Sequence, residues 1–412
     1  MRKATPERAR THNTQLVLRT IYDSGEISRA DISRSTHLTR PTVSTVVSEL
    51  MDRGLIQEVG YAPSSGGKRP LLLSVDNDSW HLIGLNLARE SFCGAVLNLR
   101  GEIQYRTELT LDGRDTNVVL DLVYEVLDPL IERSSPPLLG IGIGAPGLVD
   151  TVHGIMREAV NLHWRDVPLR RLLQERYKLP VYMANDCQLA ALAEYTFGKS
   201  GNGAGSRAQD LVVINVGWGV GAGIVLNGQL LHGHPLGAGE IGHVAVVEDG
   251  ERCQCGNLGC LETVASTRAI VRRAQEISRS DADSLLHQFA PAPVDVTFDT
   301  VCQAFQAGDT AIQHVIRDVG KNLGIAAANL IGVLGSCHIV IAGRVTCFGQ
   351  FLLDTIRAEM TKRCLLSLVQ GSKIGFVSLG SDIVLLGASA LLMSQELGLF
   401  APAQRSRYPL GD

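Results

Sequence analysis

At 412 residues and 45% hydrophobic content, the chain exceeds the usual size of one domain and can bury a core in each of two or three units, which excludes global disorder. Its net charge of -4 conceals an asymmetry: residues 1–70 carry 11 Lys or Arg against 7 Asp or Glu, and the remainder 27 against 35. A basic head on an acidic body suits a polyanion partner at one end. No apolar run reaches the roughly 18 residues of a membrane helix. The opening MRKATPERARTHN has no apolar stretch of the secretory kind, so a cytoplasmic location is expected.

In the head, Leu16, Val17, Thr20 and Ile21 share one helical stripe, predicting a first helix over 13–24 that Gly25 ends. Ser28 followed by Asp31 resembles a capping box with a shorter acid and starts a second helix, which stops near His37 and Leu38. Thr39 then offers an N-cap and Pro41 sits in the first turn. Val43, Val46, Val47, Leu50 and Met51 repeat at helical spacing up to Gly54. With those apolar residues turned inward, the opposite face presents Arg40, Thr42, Ser44, Thr45 and Ser48, short donors and one cation that can enter a major groove. Two strands, 55–59 and 71–75, flank a basic tip whose Lys68 and Arg69 are placed to touch phosphate. Three helices and a hairpin can also be a packing module without DNA.

From Trp80 onward, apolar strands alternate with helices, predicting an α/β body. The expected strands are 83–87, 92–97, 139–143, 181–183, 211–216, 221–226, 339–342 and 374–377. The expected helices are 116–133, 187–197, 266–278, 311–334 and 382–397. Residues 279–297 have the weakest pattern, and the polar tail after Phe400 is expected to be mobile.

The run GEIGHVAVVEDGERCQCGNLGCLE supplies His243, Cys253, Cys255 and Cys260. One imidazole and three thiolates make a closed tetrahedral set for Zn(II), structural because no coordination position stays open. Such an ion also clamps the chain that carries Glu240 and Glu262. Cys93, Cys187, Cys302, Cys337, Cys347 and Cys364 are scattered, and small buried apolar side chains are expected there rather than a disulfide framework. In MANDCQLAALAE, Asn185 and Asp186 fall between a strand end and a helix start, where α/β folds place ligand groups. Asp186 alone can be a helix cap; beside Glu240 and Glu262 it becomes an acceptor for a polyol.

From about Leu82 to Leu399 the chain resembles the ROK family (repressor, open reading frame, kinase), on GIGAPGLVD, AVNLHW, MANDCQLAALAE and the His243, Cys253, Cys255, Cys260 signature. With its winged helix it resembles that family's sugar-responsive regulators. The resemblance implies an actin-like, RNase H-like pair of α/β lobes. It also implies sugar contacts from Asn161, Asn185, Asp186, Glu240, His243 and Glu262, with His243 serving the metal as well. The expected domains are a winged helix-turn-helix over 1–78, a first lobe over 79–195 completed by 382–399, and a second lobe over 196–381. The tail is 400–412.

Two loops argue against an enzyme. The family's kinases carry an Asp and a Gly-Gly-Thr turn after the first strand; this chain has Asn86, Leu87, Ala88, Arg89 and Glu90, the wrong shape and charge for phosphate. In NVGWGVGAG the glycines at 217, 219, 221 and 223 remain, but Asn215 and Trp218 occupy the threonine positions. These glycines can persist as a tight turn alone. Three carboxylates, with Arg252 the one Arg or Lys inside the motifs, suit a neutral, unphosphorylated sugar. The expectation is therefore a homodimeric or homotetrameric repressor that leaves its operator DNA when sugar binds. The rivals are an ATP-dependent sugar kinase with an added head and a regulator controlled by a protein partner.

Overall fold

The computed structural model describes residues 5–63, 69–111, 119–134, 137–159, 162, 164–199, 210–233, 237–335 and 337–400. Two compact units emerge: Met1–Ala184 with Ala388–Asp412, and Asn185–Gly387.

The first unit opens with helices Pro6–Ser24, Arg29–Thr36 and Arg40–Asp52. Each has the cap its sequence offers: Thr5, Ser28 and Thr39 accept from the amides of Arg8, Asp31 and Thr42, satisfying N–H groups that a helix start leaves orphaned. The first helix begins earlier than expected, because 6–15 is a polar, largely exposed extension without the apolar periodicity from which a helix is read. Val17, Leu18, Ile21, Ile32, Val43, Val46, Val47 and Leu50 meet in one core, each contributing about 1.5–3 kcal/mol by leaving water. Strands Ile56–Tyr61 and Leu71–Val75 pair antiparallel, and the short strand Ile27–Ser28, absent from the expectation, adds to the second of them. This is a winged helix-turn-helix.

Beyond it, a five-stranded sheet runs in the order Val181–Asn185, Leu138–Ala145, His81–Leu87, Ser91–Leu97, Ile103–Thr110. His81–Leu87 is parallel to Leu138–Ala145 and antiparallel to Ser91–Leu97. Helix Val119–Arg133 packs on the sheet through Val123, Val126, Leu127 and Leu130, above Phe92 and Leu85. The edge strand Ile103–Thr110 was not expected: alternate residues face water, so its apolar content is too low to announce it.

The second unit repeats the scheme. Its sheet runs Gln229–Leu230, Val220–Leu226, Leu211–Val216, His338–Ala342, Lys373–Phe376, with the last three strands parallel. Helix Thr310–Leu334, capped by Asp309, lies against Gly349–Arg363 and the buried faces of Thr267–Ser280. Helices Leu169–Tyr177, in the first unit, and Phe298–Gln306 and Gly349–Arg363, in the second, also lie outside the expected set.

One expectation is corrected. Cys302 and Cys347 are not independent apolar fillers: the fold joins them in a disulfide, with Cα atoms 6.5 Å apart across 45 residues of sequence. Separation along the chain concealed the pair, since the helix and turn that carry them meet only through tertiary packing.

Candidate metal centre and ligand site

His243 closes a 3-10 turn, Ile241–His243, and the cysteines follow on a small looped hairpin. Bridges Ala245↔Cys260 and Arg252↔Leu258 form its rungs, and the Cys253 amide donates to the Asn257 carbonyl at 2.8 Å. Gly259, at φ 68, is obligatory: a Cβ there would stand 1.7 Å from the Val247 oxygen. The ligand atoms of His243, Cys253, Cys255 and Cys260 all lie within 4.8 Å of one another. A tetrahedral ion with bonds to sulfur of about 2.3 Å sets its sulfurs roughly 3.8 Å apart. Cys255 Sγ is 3.7 Å from Cys260 Sγ, and Cys253 Sγ is 3.6 Å from His243 Nδ1. The set therefore fits a metal ion. Burial, reinforced by hydrogen bonding with Cys255 and Cys253, pushes the Cys260 thiol above the ordinary thiol range.

The same unit gathers the carboxylates. Strand Val181–Asn185 runs into helix Asp186–Phe197, where Asn185 caps by accepting from the amides of Cys187 and Gln188 at 2.9 and 3.3 Å. Asp186 Oδ1 also takes the Cys187 amide at 2.8 Å. Desolvation nevertheless raises the Asp186 carboxyl above the usual range, outweighing that hydrogen bond. Glu240 stands just before the turn of His243; burial raises its carboxyl, His243 opposes this, and the fields of Asp186 and Glu262 raise it further. These three acids therefore share one neighbourhood with the His243 imidazole.

Glu262 belongs to the short helix Leu261–Ala265 that follows Cys260, and its Oε2 accepts the Val220 amide at 3.2 Å. That bond explains the glycine loop. A Cβ on Gly219 would lie 2.5 Å from Glu262 Oε2, and one on Gly223 would lie 2.0 Å from the Cys187 oxygen. Gly219, Gly221 and Gly223 are thus accounted for by close approach of Glu262 and of the Asp186 helix, whereas a Cβ on Gly217 would meet nothing within 4 Å. The turn is anchored by the Thr267 amide and hydroxyl, both donating to the Gly217 carbonyl at 2.9 Å.

Sequence reasoning missed one neighbour. Arg268 lies 3.6 Å from Glu262 and 5.8 Å from the Trp218 ring centroid, so a cation does adjoin the acids. It sits beyond a helix break at Ser266, and its approach depends on that bend. Asn161 and Lys68 lie outside the described residues. On helix Arg40–Asp52, Arg40, Ser44, Thr45 and Ser48 are exposed and Thr42 half-buried, its hydroxyl 2.9 Å from that of Thr39; Arg69 is exposed at the base of the wing tip.

Residues 82–395 match the ROK family and residues 14–69 the MarR family. The chain is 32% identical to the xylose repressor of Caldicellulosiruptor bescii, over 93% of its own length and 96% of that protein. It is 36% identical to a glucokinase of Halalkalibacterium halodurans, over 78% of its length and 97% of that enzyme. A solved ROK family transcriptional regulator, a homolog of the E. coli MLC protein, superposes with a TM-score of 0.83 at 28% identity, covering 95% of this chain and 98% of that one. A MarR-type winged helix joined to a kinase-like α/β body defines a transcriptional regulator. The chain belongs to the ROK family, as its motifs implied.

Proposed function

We propose that this protein is a repressor whose hold on operator DNA is released by a neutral, unphosphorylated sugar. The observation that carries the reading is the grouping of Asp186, Glu240 and Glu262 around an imidazole whose Nδ1 faces the thiols. Carboxylates accept sugar hydroxyls well, and charge-assisted hydrogen bonds are about twice as strong as neutral ones. Asn185 and the Nε2 of His243 complete the contacts. Arg268 offsets only one of the three acids, so a dianionic sugar phosphate stays disfavoured.

The ion that suits three thiols and an imidazole is Zn(II), with no position left for catalysis, and its role is to fix the chain between Glu240 and Glu262. Arg40, Thr42, Ser44, Thr45 and Ser48 read the major groove, while Lys68 and Arg69 hold backbone phosphate. The protein acts as a homodimer or homotetramer in the cytoplasm. No described helix is long and apolar enough to cross a membrane.

The test is a titration of a duplex selected by the protein, followed by fluorescence anisotropy with free sugars and their phosphates. One free sugar should weaken duplex binding, and by linkage the duplex should weaken that sugar's binding by the same factor. A sugar that binds without changing duplex affinity would sink the coupling. The likeness to a glucokinase and the retention of Asp186 keep a kinase reading in view. ADP release that Asp186→Asn abolishes would establish it.

A further inference from the structure

We propose that Cys302 and Cys347 form a reversible thiol–disulfide pair through which oxidation stiffens the loop that supports Glu262. The ligand role of that carboxylate rests on the reading above; the redox pair itself does not.

Cys302 lies on helix Phe298–Gln306 and Cys347 on the 3-10 turn Arg344–Phe348. Both are half-buried, so a small oxidant or reductant can reach the sulfurs. Their apposition does not depend on the bond between them. Arg344 pairs with Asp299 across the same two elements, and the Phe348 ring sits edge-on to Phe298 at 5.7 Å and to Phe305 at 5.1 Å. Reduction therefore leaves two thiols held side by side, and reoxidation is intramolecular, the case in which effective concentrations are highest. The metal-facing cysteines are a separate set, so closing this bond removes no ligand from it. Disulfides in reducing compartments are usually transient and redox-sensing.

With hydrogen peroxide as oxidant, one thiolate attacks a peroxide oxygen, forming a sulfenic acid and releasing one water after proton transfer. The second thiol then attacks that sulfur and expels the second water, so two thiols and one peroxide give one disulfide and two waters. A dithiol reverses this by exchange and leaves as its own disulfide.

The consequence follows from Gly343, which precedes the turn. A Cβ there would stand 2.1 Å from the Val216 oxygen and 3.0 Å from Asn215 Oδ1, so the turn begins in direct contact with the end of strand Leu211–Val216. That strand runs into Gly217–Gly219, whose successor Val220 donates to Glu262. Tethering the turn to the helix at Cys302 restrains this path and biases the geometry in which Glu262 is presented.

Full-length protein treated with hydrogen peroxide, then with dithiothreitol, tests this by tryptic mass spectrometry and hydrogen exchange. Peptides 280–317 and 345–357, holding one cysteine each, should cross-link after oxidant and separate after reductant. Exchange of amides 215–220 should slow several-fold in the oxidised protein, a readout that needs no sugar. Cys302→Ser and Cys347→Ser should abolish both effects while leaving zinc content and duplex binding unchanged. Failure of the two peptides to cross-link, or a bond that dithiothreitol does not reverse, would overturn the pair. Cross-linking without slower exchange at 215–220 would overturn its coupling to the loop. Should the exchange change but no sugar bind, the sugar reading fails and this one stands.

Discussion

The guanidinium of Arg100 covers the ring of Tyr22, 4.1 Å from its centroid, and donates to the Tyr22 carbonyl at 2.9 Å. Tyr22 lies in the last turns of the first helix of the DNA-binding head, and Arg100 lies in the hairpin after strand Ser91–Leu97 of the α/β body. The Tyr22 hydroxyl donates to the Leu99 carbonyl at 3.1 Å, and the Phe400 ring meets it edge-on at 5.3 Å. Burial pushes that hydroxyl up to about 12, so it remains a donor at all physiological pH. Head and body are joined by a specific strut.

Arg100→Ala removes a cation over the ring and a charged donor. A loss of about 1.5–3 kcal/mol is expected in the docking of the head, read as faster hydrogen exchange over residues 21–25. Sugar affinity should hold while the effect of sugar on duplex binding weakens. Unchanged exchange in that turn would refute the strut.

Removing the metal should be costly. Dialysis against a strong chelator is expected to release about one zinc per chain, lower the melting temperature and eliminate sugar binding. Cys260, fully buried, and Cys255, exposed, give a gradient: Cys260→Ala should destabilise more than Cys255→Ala. Elemental analysis and thermal melts check this, and full sugar affinity in the chelated protein would contradict the clamp.

The acids predict a trade of function against stability. Folding raises the carboxyls of Asp186 and Glu240, so between their ordinary values and their raised ones the folded state binds more protons than the unfolded one. Stability from this source is complete below the ordinary values and is lost as pH rises through the raised ones. Glu240→Gln should therefore raise the melting temperature at neutral pH and flatten its pH dependence across that window, while sugar affinity falls about 10-fold or more with the loss of a charged acceptor. A variant less stable than the parent at pH 7 would show that a missing partner, rather than desolvation, governs this residue.

On duplex DNA, Arg69→Ala should reduce the slope of log affinity against log salt by about 0.9. Ser48→Ala should change sequence preference and leave the slope intact. Equal slopes for these two variants would remove the phosphate contact from the account.

Local chemistry made much of this legible beforehand. Caps at Ser28 and Thr39, the valine stripe from Val43 to Val47, and the crowding of three cysteines beside His243 are short-range signals, so helices two and three and the four-residue Cys/His cluster stand where the residues put them. The passage from strand to helix at Asn185 and Asp186 was readable, although the cap is Asn185 and not Asp186. What escaped were elements whose apolar content is halved by solvent, such as Ile103–Thr110, and contacts between residues far apart in sequence.

The amino-acid sequence by itself determined the class of the protein and the histidine and three cysteines that gather into one cluster, because each depends on residue types at close spacing. Only the tertiary structure decided that Cys302 meets Cys347, that Arg268 adjoins Glu262 and that Arg100 braces Tyr22. Those pairings arise from how helices, turns and hairpins pack against one another, and packing brings together side chains that no local pattern connects.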